Sequence, residues 1–246
     1  MSRATSYHRP GTVEQALALL AVEGNVALAG GTLLNADDDP TPVGMVDLQG
    51  LGMTAISVAD DRIELGAMVT LQDLRQDGSV PPVVSDAARA ELPSTLRTLA
   101  TVGGTVAVGD PDSVLLAALL VHNAEIHVAG PDGTGGAPLA NALSANGPCE
   151  GRLITAVSLS IGGTTAHEAA GRTPSDTPIV SATARRTGGL TTVALTGVAS
   201  TPVLVDPADP TSGLEPTGDF RGSTDYRLHL TSVLTDRALA SLGGAS

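Results

Sequence analysis

The sequence predicts an α+β protein made of two small αβ lobes followed by a domain of antiparallel strands and one helix. Up to about residue 150, apolar residues recur both at helical spacing and in short strand-like runs. From residue 151, long β-type runs joined by turn residues replace this pattern. The last segment, STDYRLHLTSVLTDRALASL, has the period of an amphipathic helix.

The predicted domain boundary lies in the segment GTGGAPLANALSANGPCEG, residues 133–151. It is rich in Gly, Pro, Ala and Asn, a composition typical of loops. We therefore expect one domain over residues 1–150, with lobes of about 1–52 and 53–150, and a second domain over residues 151–246.

The elements of the first lobe follow from caps and apolar runs. Thr12 and Gln15 form a capping box before a helix whose apolar face is Val13, Ala16, Leu17 and Leu20. The run NVALAGG predicts a short buried strand that ends at a glycine pair, followed by a turn through residues 33–35. GMVDLQGL predicts another strand.

The second lobe is predicted in the same way. Residues 54–70 alternate around Asp60-Asp61, which favours a hairpin, and Thr70 caps a helix from about Leu71. Residues 81–97 form one or two helices interrupted by Pro93. ATVGGTVAVG predicts a strand, DSVLLAALLVH an apolar helix, and AEIHVAGPDG a strand that ends in a turn.

In the second domain, RLITAVSLSI, TPIVSATARR and LTTVALTGVASTPVLV predict antiparallel strands. Thr187-Gly188-Gly189 joins two of them as a hairpin turn. The final helix places Tyr226, Leu230, Val233 and Leu234 on one stripe.

Composition excludes several classes of function. The net charge of −13 and pI of about 4.5 argue against nucleic acid as a partner, because such a surface needs clustered cations. The single cysteine, Cys149, rules out a metal cluster held by cysteines of this chain. No apolar run is long enough for a membrane helix and the first residues do not form a signal peptide, so we expect a cytoplasmic protein.

The glycine pairs at residues 30–31 and 103–104 each follow an apolar run. Such a pair can present consecutive backbone N–H groups to an anion, with no Cβ in the way. It can equally serve only for a tight turn and close packing. Neither pair matches the dinucleotide fingerprint or the phosphate loop, so spacing alone leaves both interpretations open.

Five segments occur in an order found in one known family: YHRPGTVEQALALL, ALAGGTLLN, LRTLATVGGTVAVGDPDS, GRTPSDTPIVSATA and STDYRLHLTSVLTDRAL. Together they resemble the FAD-binding medium subunit of molybdenum hydroxylases, the family of xanthine dehydrogenase and aerobic carbon monoxide dehydrogenase. The resemblance implies a two-lobed PCMH-type FAD-binding domain followed by a small sheet-plus-helix domain.

The resemblance also implies the cofactor site. The FAD pyrophosphate would lie between the two glycine loops. No catalytic residue and no metal ligand is expected in this chain. The implied FAD-binding residues are Ala29, Gly30, Gly31, Thr32, Leu33, Leu34, Asn35, Thr101, Gly103, Gly104, Thr105 and Asp110.

For function, the resemblance implies an electron-transfer subunit that is not active alone. A small subunit with 2Fe-2S clusters would deliver electrons to FAD, and a large molybdopterin subunit would oxidise the substrate. The family commonly forms heterohexamers. Its electron acceptor is a quinone or NAD, and the substrate is set by the large subunit.

Several positions depart from the family pattern. Val114 stands where the family has an aspartate, with Asp110 and Asp112 nearby. Ala169 stands where a basic residue reaches the flavin, and Arg172 is the nearest cation. The acidic run at residues 37–39 would repel a pyrophosphate. These departures leave open an alternative, a flavin-free scaffolding subunit of the same type of complex.

The remaining polar candidates are predicted to have ordinary roles. His122 and His127 have the wrong spacing for a helical metal site and are expected to be solvated or to cap an element. Arg185 and Arg186 end a strand and are expected to be solvated, and His229 is expected on the exposed face of the last helix.

Overall fold

The computed structural model describes residues 3–34, 41–144, 151–173 and 176–243. These residues form a three-stranded, a five-stranded and a four-stranded sheet, each with helices packed on it. The α+β class predicted from the sequence is confirmed. None of the helices in the described ranges is both long and apolar enough to span a membrane.

The first lobe is a parallel sheet with strand order β1-β3-β2. Parallel strands need a crossover, which a helix supplies between the first two strands. Its elements are β1 (Ala4–His8), α1 (Val13–Leu20), β2 (Asn25–Leu28), β3 (Val43–Asp47) and a 3-10 turn (Leu48–Leu51). Strand β1 was not predicted from the sequence.

The start of α1 confirms the predicted cap. The Thr12 hydroxyl accepts a hydrogen bond from the Gln15 N–H at 3.3 Å. The Gln15 side chain accepts in turn from the Gly11 N–H at 3.0 Å, one residue before the position that a standard capping box uses. Both hydrogen bonds fix the direction in which the chain leaves β1.

The second lobe is an antiparallel sheet with strand order β4-β5-β8-β6-β7. The predicted hairpin joins β4 to β5, and Asp60 takes a φ of 54° in its turn. The elements are β4 (Ile56–Ala59), β5 (Arg62–Gly66), α2 (Leu71–Gln76), α3 (Pro82–Glu91), α4 (Ser94–Arg97), α5 (Val102–Val108), α6 (Val114–Val121), β6 (Glu125–Gly130), β7 (Gly133–Pro138), α7 (Leu139–Ser144) and β8 (Leu153–Ser160).

Residues 102–108 form the helix α5, so the predicted strand over ATVGGTVAVG is wrong. The Thr101 hydroxyl caps the helix by accepting from the Gly104 N–H at 3.1 Å. Gly109, with φ of 63°, ends it in the left-handed conformation that glycine favours. A Cβ on Gly103 would lie 2.7 Å from the Ala67 Cβ, so this glycine lets the helix pack directly on the chain after β5.

The segment predicted as a boundary loop contains secondary structure. Residues 133–144 form β7 and α7, so that part of the loop prediction is wrong; residues 145–150, including Cys149, lie outside the described ranges. The next strand, β8, pairs with β5 and β6 of the second lobe. We therefore propose that the first domain continues to Ser160 rather than ending at residue 150.

The C-terminal domain is an antiparallel sheet, β12-β11-β10-β9, with one long helix packed on it. Gly188 and Gly189, with φ of 55° and 82°, form a two-residue hairpin turn at the predicted place, and Thr187, which the prediction included in the turn, pairs with Leu190 at the end of its strand. The edge strand β9 was not predicted from the sequence. The elements are β9 (Thr164–Ala170), β10 (Val180–Thr187), β11 (Leu190–Thr196), β12 (Val203–Val205) and α8 (Thr224–Gly243).

The buried stripe of α8 only partly matches its prediction. Leu230 and Leu234 are buried, as predicted, and His229 is exposed. Tyr226 is 44% exposed, so its assignment to the stripe is wrong, and the buried Arg227 takes that place. Arg227 is accommodated because it donates to the Ile179 and Gly197 carbonyls and pairs with Asp219 at 2.8 Å.

The C-terminal sheet is covered on both faces. Ala182, Ala184 and Leu195 pack in the cluster that contains the α8 leucines, whereas Ala194 belongs to the core of the second lobe. α6 lies against this other face. The two-sided cover explains why β10 is buried from Val180 to Arg185 and why α6 is apolar around its whole circumference.

The prediction that Arg185 is solvated is wrong. Because both faces of the sheet are covered, this arginine is buried. Its guanidinium donates to the Val121, Ile161 and Gly162 carbonyls and to the Ser160 hydroxyl. His122 ends α6 as its C-cap, which is one of the two roles expected for it. Burial lowers the pKa of His122 to about 4, so the ring is neutral.

Candidate cofactor site

A cleft of about 450 Å³ lies between the first and second lobes. Its walls are the loop after β2 and the chain from the end of α3 to the residues after α5. Most of the predicted site residues line it: Ala29, Gly30, Gly31, Thr32, Leu33, Leu34, Thr101, Gly104, Thr105 and Asp110. Gly103 is buried behind this surface, and Asn35 lies outside the described residues.

The first glycine loop, residues 29–34, offers free backbone donors to the cleft. Within the described chain, the N–H groups of Gly31, Thr32 and Leu33 donate to no protein acceptor. Gly31 has a φ of 66°, which turns the chain after β2 and is a conformation that glycine tolerates. Consecutive free N–H groups in such a turn form a concave site suited to an anion.

Gly30 has a different role from Gly31. A Cβ at Gly30 would overlap the Leu99 carbonyl oxygen, since the loop touches the backbone of the α4–α5 connection there. This close approach sets the distance between the two walls of the cleft. The packing interpretation of the glycine pair therefore holds for Gly30, and the anion interpretation is compatible with Gly31.

The second glycine loop does not offer free N–H groups to an anion, which is one of the two interpretations that the sequence left open. Its N–H groups are already used: Gly103 donates to the Ala67 carbonyl at 2.8 Å, Gly104 to the Thr101 hydroxyl and Thr105 to the Thr101 carbonyl. These hydrogen bonds form the first turn of α5, so the three N–H groups are not free to bind an anion. A Cβ on Gly104 would meet only the Thr101 Oγ1, at 3.0 Å, so this glycine keeps the cleft wall open.

Apolar side chains form much of the remaining cleft surface. Leu33 is 55% exposed and Val108 49% exposed, both at the cleft. Such exposed apolar groups lose solvent contact when a ring system packs on them. The lining residues that the sequence analysis did not name are Ala27, Glu91, Leu92, Leu96, Ala100, Ala107 and Val108.

Glu91 is the charged residue that sequence reasoning missed. It is the last residue of α3, and its Oε2 accepts from the Leu115 N–H at 2.9 Å, near the start of α6. Burial raises the pKa of Glu91 to about 7, against hydrogen bonds from Ser113 and from the backbone that lower it. No local motif marks this residue, because its partners come from a different element.

Among the described residues, the charged side chains that line the cleft are the carboxylates of Glu91 and Asp110. Asp110 accepts from the Asp112 N–H at 2.8 Å in the turn before α6. An anion in the cleft would therefore depend on backbone donors rather than on arginine. This agrees with the absence of lysine from the sequence and with the free donors of the first loop.

A shallower depression adjoins the cleft at Asp110 and is lined partly by the C-terminal domain. Asp112 lines this depression and pairs with Arg221 at 2.6 Å. Arg221 also binds Asp219. Hydrogen bonds from Arg227 and Arg221 hold the pKa of Asp219 well below its usual range. Arg172 lies 5.8 Å from the centre of the Phe220 ring.

No cluster of three or more His, Cys, Asp or Glu suited to a metal ion is found in the described ranges. His127 contacts the Ser158 hydroxyl and His167 the Thr183 hydroxyl, each on a neighbouring strand. These contacts give both rings roles in the sheets.

Comparison with a protein-family model identifies the domain in which the cleft lies. Residues 3–159 match the model of the FAD binding domain in molybdopterin dehydrogenase. This stretch holds both glycine loops and reaches the end of β8.

Similarity extends over nearly the whole chain. The protein YgfM of Escherichia coli K12 is 29% identical over 246 aligned positions, covering 93% of this chain and 92% of YgfM. The carbon monoxide dehydrogenase medium chain of Afipia carboxidovorans is 27% identical, covering 95% of this chain and 94% of that one.

Among solved structures, a chain of the reconstituted CO dehydrogenase from Oligotropha carboxidovorans superposes with a TM-score of 0.87 at 25% identity. The match covers 98% of both chains, so the two folds agree through the C-terminal domain. On the family match, the chain belongs to the FAD-binding subunits of the molybdopterin dehydrogenases, the family of molybdenum hydroxylases that its sequence motifs resemble.

Proposed function

We propose that this chain is the electron-transfer subunit of a molybdenum hydroxylase-type complex, with FAD held between the two lobes. The observation that carries the proposal is the first glycine loop, in which Gly31, Thr32 and Leu33 line the cleft and, within the described chain, leave their N–H groups without a protein acceptor. An uncharged donor set of this kind can bind the FAD pyrophosphate without lysine.

The other cleft residues fit the remainder of such a cofactor. Gly104 leaves the opposite wall free of side chain, and Thr105 lines the cleft beside it with its hydroxyl donating to the Thr101 carbonyl at 3.1 Å. Leu33, Leu96 and Val108 offer apolar surface that would exclude water from a bound ring system. When bound, FAD supplies the ability to accept electrons from one donor and release them to another.

Partner chains follow from what this chain lacks and from its relatives. With one cysteine, it has no set of thiolates for a 2Fe-2S cluster, so the electron source must lie in another polypeptide. The name "medium chain" of the Afipia relative supports a complex of several kinds of chain. We propose a small 2Fe-2S subunit and a large molybdopterin subunit, commonly assembled as a heterohexamer, with a quinone or NAD as the final acceptor.

Purification from the native host tests this proposal. We expect the chain to co-purify with two other kinds of chain, to release FAD on denaturation, and to show no dehydrogenase activity when separated from them. Mass measurement of the native complex and absorption spectra give the readouts. A chain that purifies alone and oxidises a small molecule unaided would contradict the proposal, and a complex without flavin would support the scaffolding alternative.

A further inference from the structure

Glu91 has an uncommon position for a carboxylate that lines a binding site for an anionic cofactor. Its Oε2 is bound to the Leu115 N–H at 2.9 Å, and its carboxyl also interacts with the Ser113 hydroxyl and the Val114 N–H. The same residue lines the cleft whose opposite wall is the first glycine loop. The carboxyl is thus fixed at the cleft surface by the start of α6.

The charges around Glu91 do not neutralise it. In the described chain it forms no ion pair, and Asp110, which lines the same cleft, raises its pKa further. The elements packed against α3 are α2, α4, α6 and β9. Their charged or titratable groups, with those of α3 itself, are Asp73, Arg75, Asp86, Arg89, Arg97, His122, His167 and Glu168.

Among the described residues, none of the cations in this set forms an ion pair with Glu91. Arg97 donates through Nη1 to the Arg89 and Leu92 carbonyls, at 2.9 and 2.7 Å. Arg89 lies 3.9 Å from Asp86 on the exposed side of α3. His122 is buried at the far end of α6 and is neutral. An anion that binds in the cleft is therefore repelled by the negative charges of Glu91 and Asp110.

We propose that Glu91 takes up a proton when FAD binds, so that the affinity of this chain for FAD falls as the pH rises through neutrality. The inference rests on the proposed function, since it assumes that FAD occupies the cleft. A protonated carboxyl can still accept from the Leu115 N–H through one oxygen while its O–H becomes a donor. Binding and protonation then favour one another, as linkage requires.

The expected size follows from the free and bound states. With a pKa of about 7 before binding and a higher one after it, Glu91 takes up a fraction of a proton at pH 8 that approaches one as the bound pKa rises. The dissociation constant for FAD should therefore rise by up to about tenfold between pH 6 and pH 8. The pyrophosphate diester keeps both of its charges over this range, and no histidine is among the described residues that line the cleft.

The experiment is a titration of the flavin-free full chain with FAD at pH 6, 7 and 8 and constant ionic strength. For Glu91→Gln, which is uncharged throughout, we expect the tight binding of the pH 6 wild type at every pH. Asp86→Asn removes the same charge from the exposed face of the same helix and should keep the wild-type pH dependence. Calorimetry in two buffers of different ionisation enthalpy should count an uptake of up to about one proton per FAD at pH 8.

Two results would overturn the inference: a dissociation constant for the wild type that does not change with pH, or the same pH dependence in Glu91→Gln as in the wild type. The proton count needs no variant, so it decides the matter even if Glu91→Gln fails to fold. Failure of the proposed function gives a different result, in which FAD binds to no variant at any pH.

Discussion

At the scale of single residues, the two glycine pairs show that the same dipeptide serves different physical needs. Gly31 supplies a left-handed turn, Gly30 and Gly103 allow two backbones to touch, and Gly104 leaves open space in the cleft wall. Only the first loop also leaves its N–H groups free. The role of each glycine depends on what faces its missing Cβ.

Gly104 provides a prediction at this scale. Gly104→Val should weaken FAD binding by about 10- to 100-fold, since a side chain there would occupy the cleft at a cost of about 1–3 kcal/mol. The fold should survive, because Gly104 has an ordinary helical conformation in α5 and valine is no poorer a helix former than glycine. The change in affinity is measured by quenching of flavin fluorescence.

Gly78→Val is the matched control for this variant. A Cβ at Gly78 has nothing within 4 Å, and the residue lies in the loop after α2, away from the cleft lining. Equal FAD affinity for the wild type and both variants would show that Gly104 does not face the cofactor.

At the scale of elements, the first glycine loop and the α4–α5 connection hold each other in place. Gly30→Ala should lower the free energy of unfolding by about 1–3 kcal/mol, because the new methyl group would overlap the rigid carbonyl of Leu99. The control Gly78→Ala should change it by no more than about 0.5 kcal/mol. Urea unfolding followed by circular dichroism measures both values. Equal stability of the two variants would show that the contact does not require glycine at position 30.

The elements predicted correctly are those with local signals. The caps at Thr12 and Thr70 and the glycine turn at residues 188–189 act within a few residues, so the sequence alone reveals them. The helix α5 was missed because valine and threonine favour strands, whereas the Thr101 cap and packing on Ala67 favour the helix. The edge strand β9 was missed because its residues do not alternate clearly between apolar and polar.

The candidate site shows the same division. Both glycine loops could be named from the sequence through the family resemblance, and the structure places them at one cleft. Glu91 could not be named, because its meaning depends on the Leu115 N–H and on Asp110, which are brought to it by tertiary packing. The burial of Arg185 could not be predicted for a similar reason. The sequence predicts one helix, α8, on the C-terminal sheet, whereas α6 of the second lobe also packs on it.

At the scale of the whole molecule, Arg185 links the C-terminal sheet to the second lobe. Arg185→Met should lower the free energy of unfolding by about 3 kcal/mol, because it leaves buried carbonyls at Val121 and Ile161 without their donor. Arg186→Met is the matched control: the neighbouring side chain is exposed, and its loss should change stability by no more than about 0.5 kcal/mol. Thermal and urea unfolding of both variants test the link, which equal losses would contradict.

The proposed function depends on one property of the molecule, the binding of FAD in the cleft between the lobes. The most direct measurement is an equilibrium titration of the flavin-free full chain with FAD at pH 6, followed by flavin fluorescence. We predict saturable binding of one FAD per chain with a submicromolar dissociation constant. A folded chain, verified by circular dichroism, that shows no saturable binding under these conditions would contradict the account and leave the scaffolding role in its place.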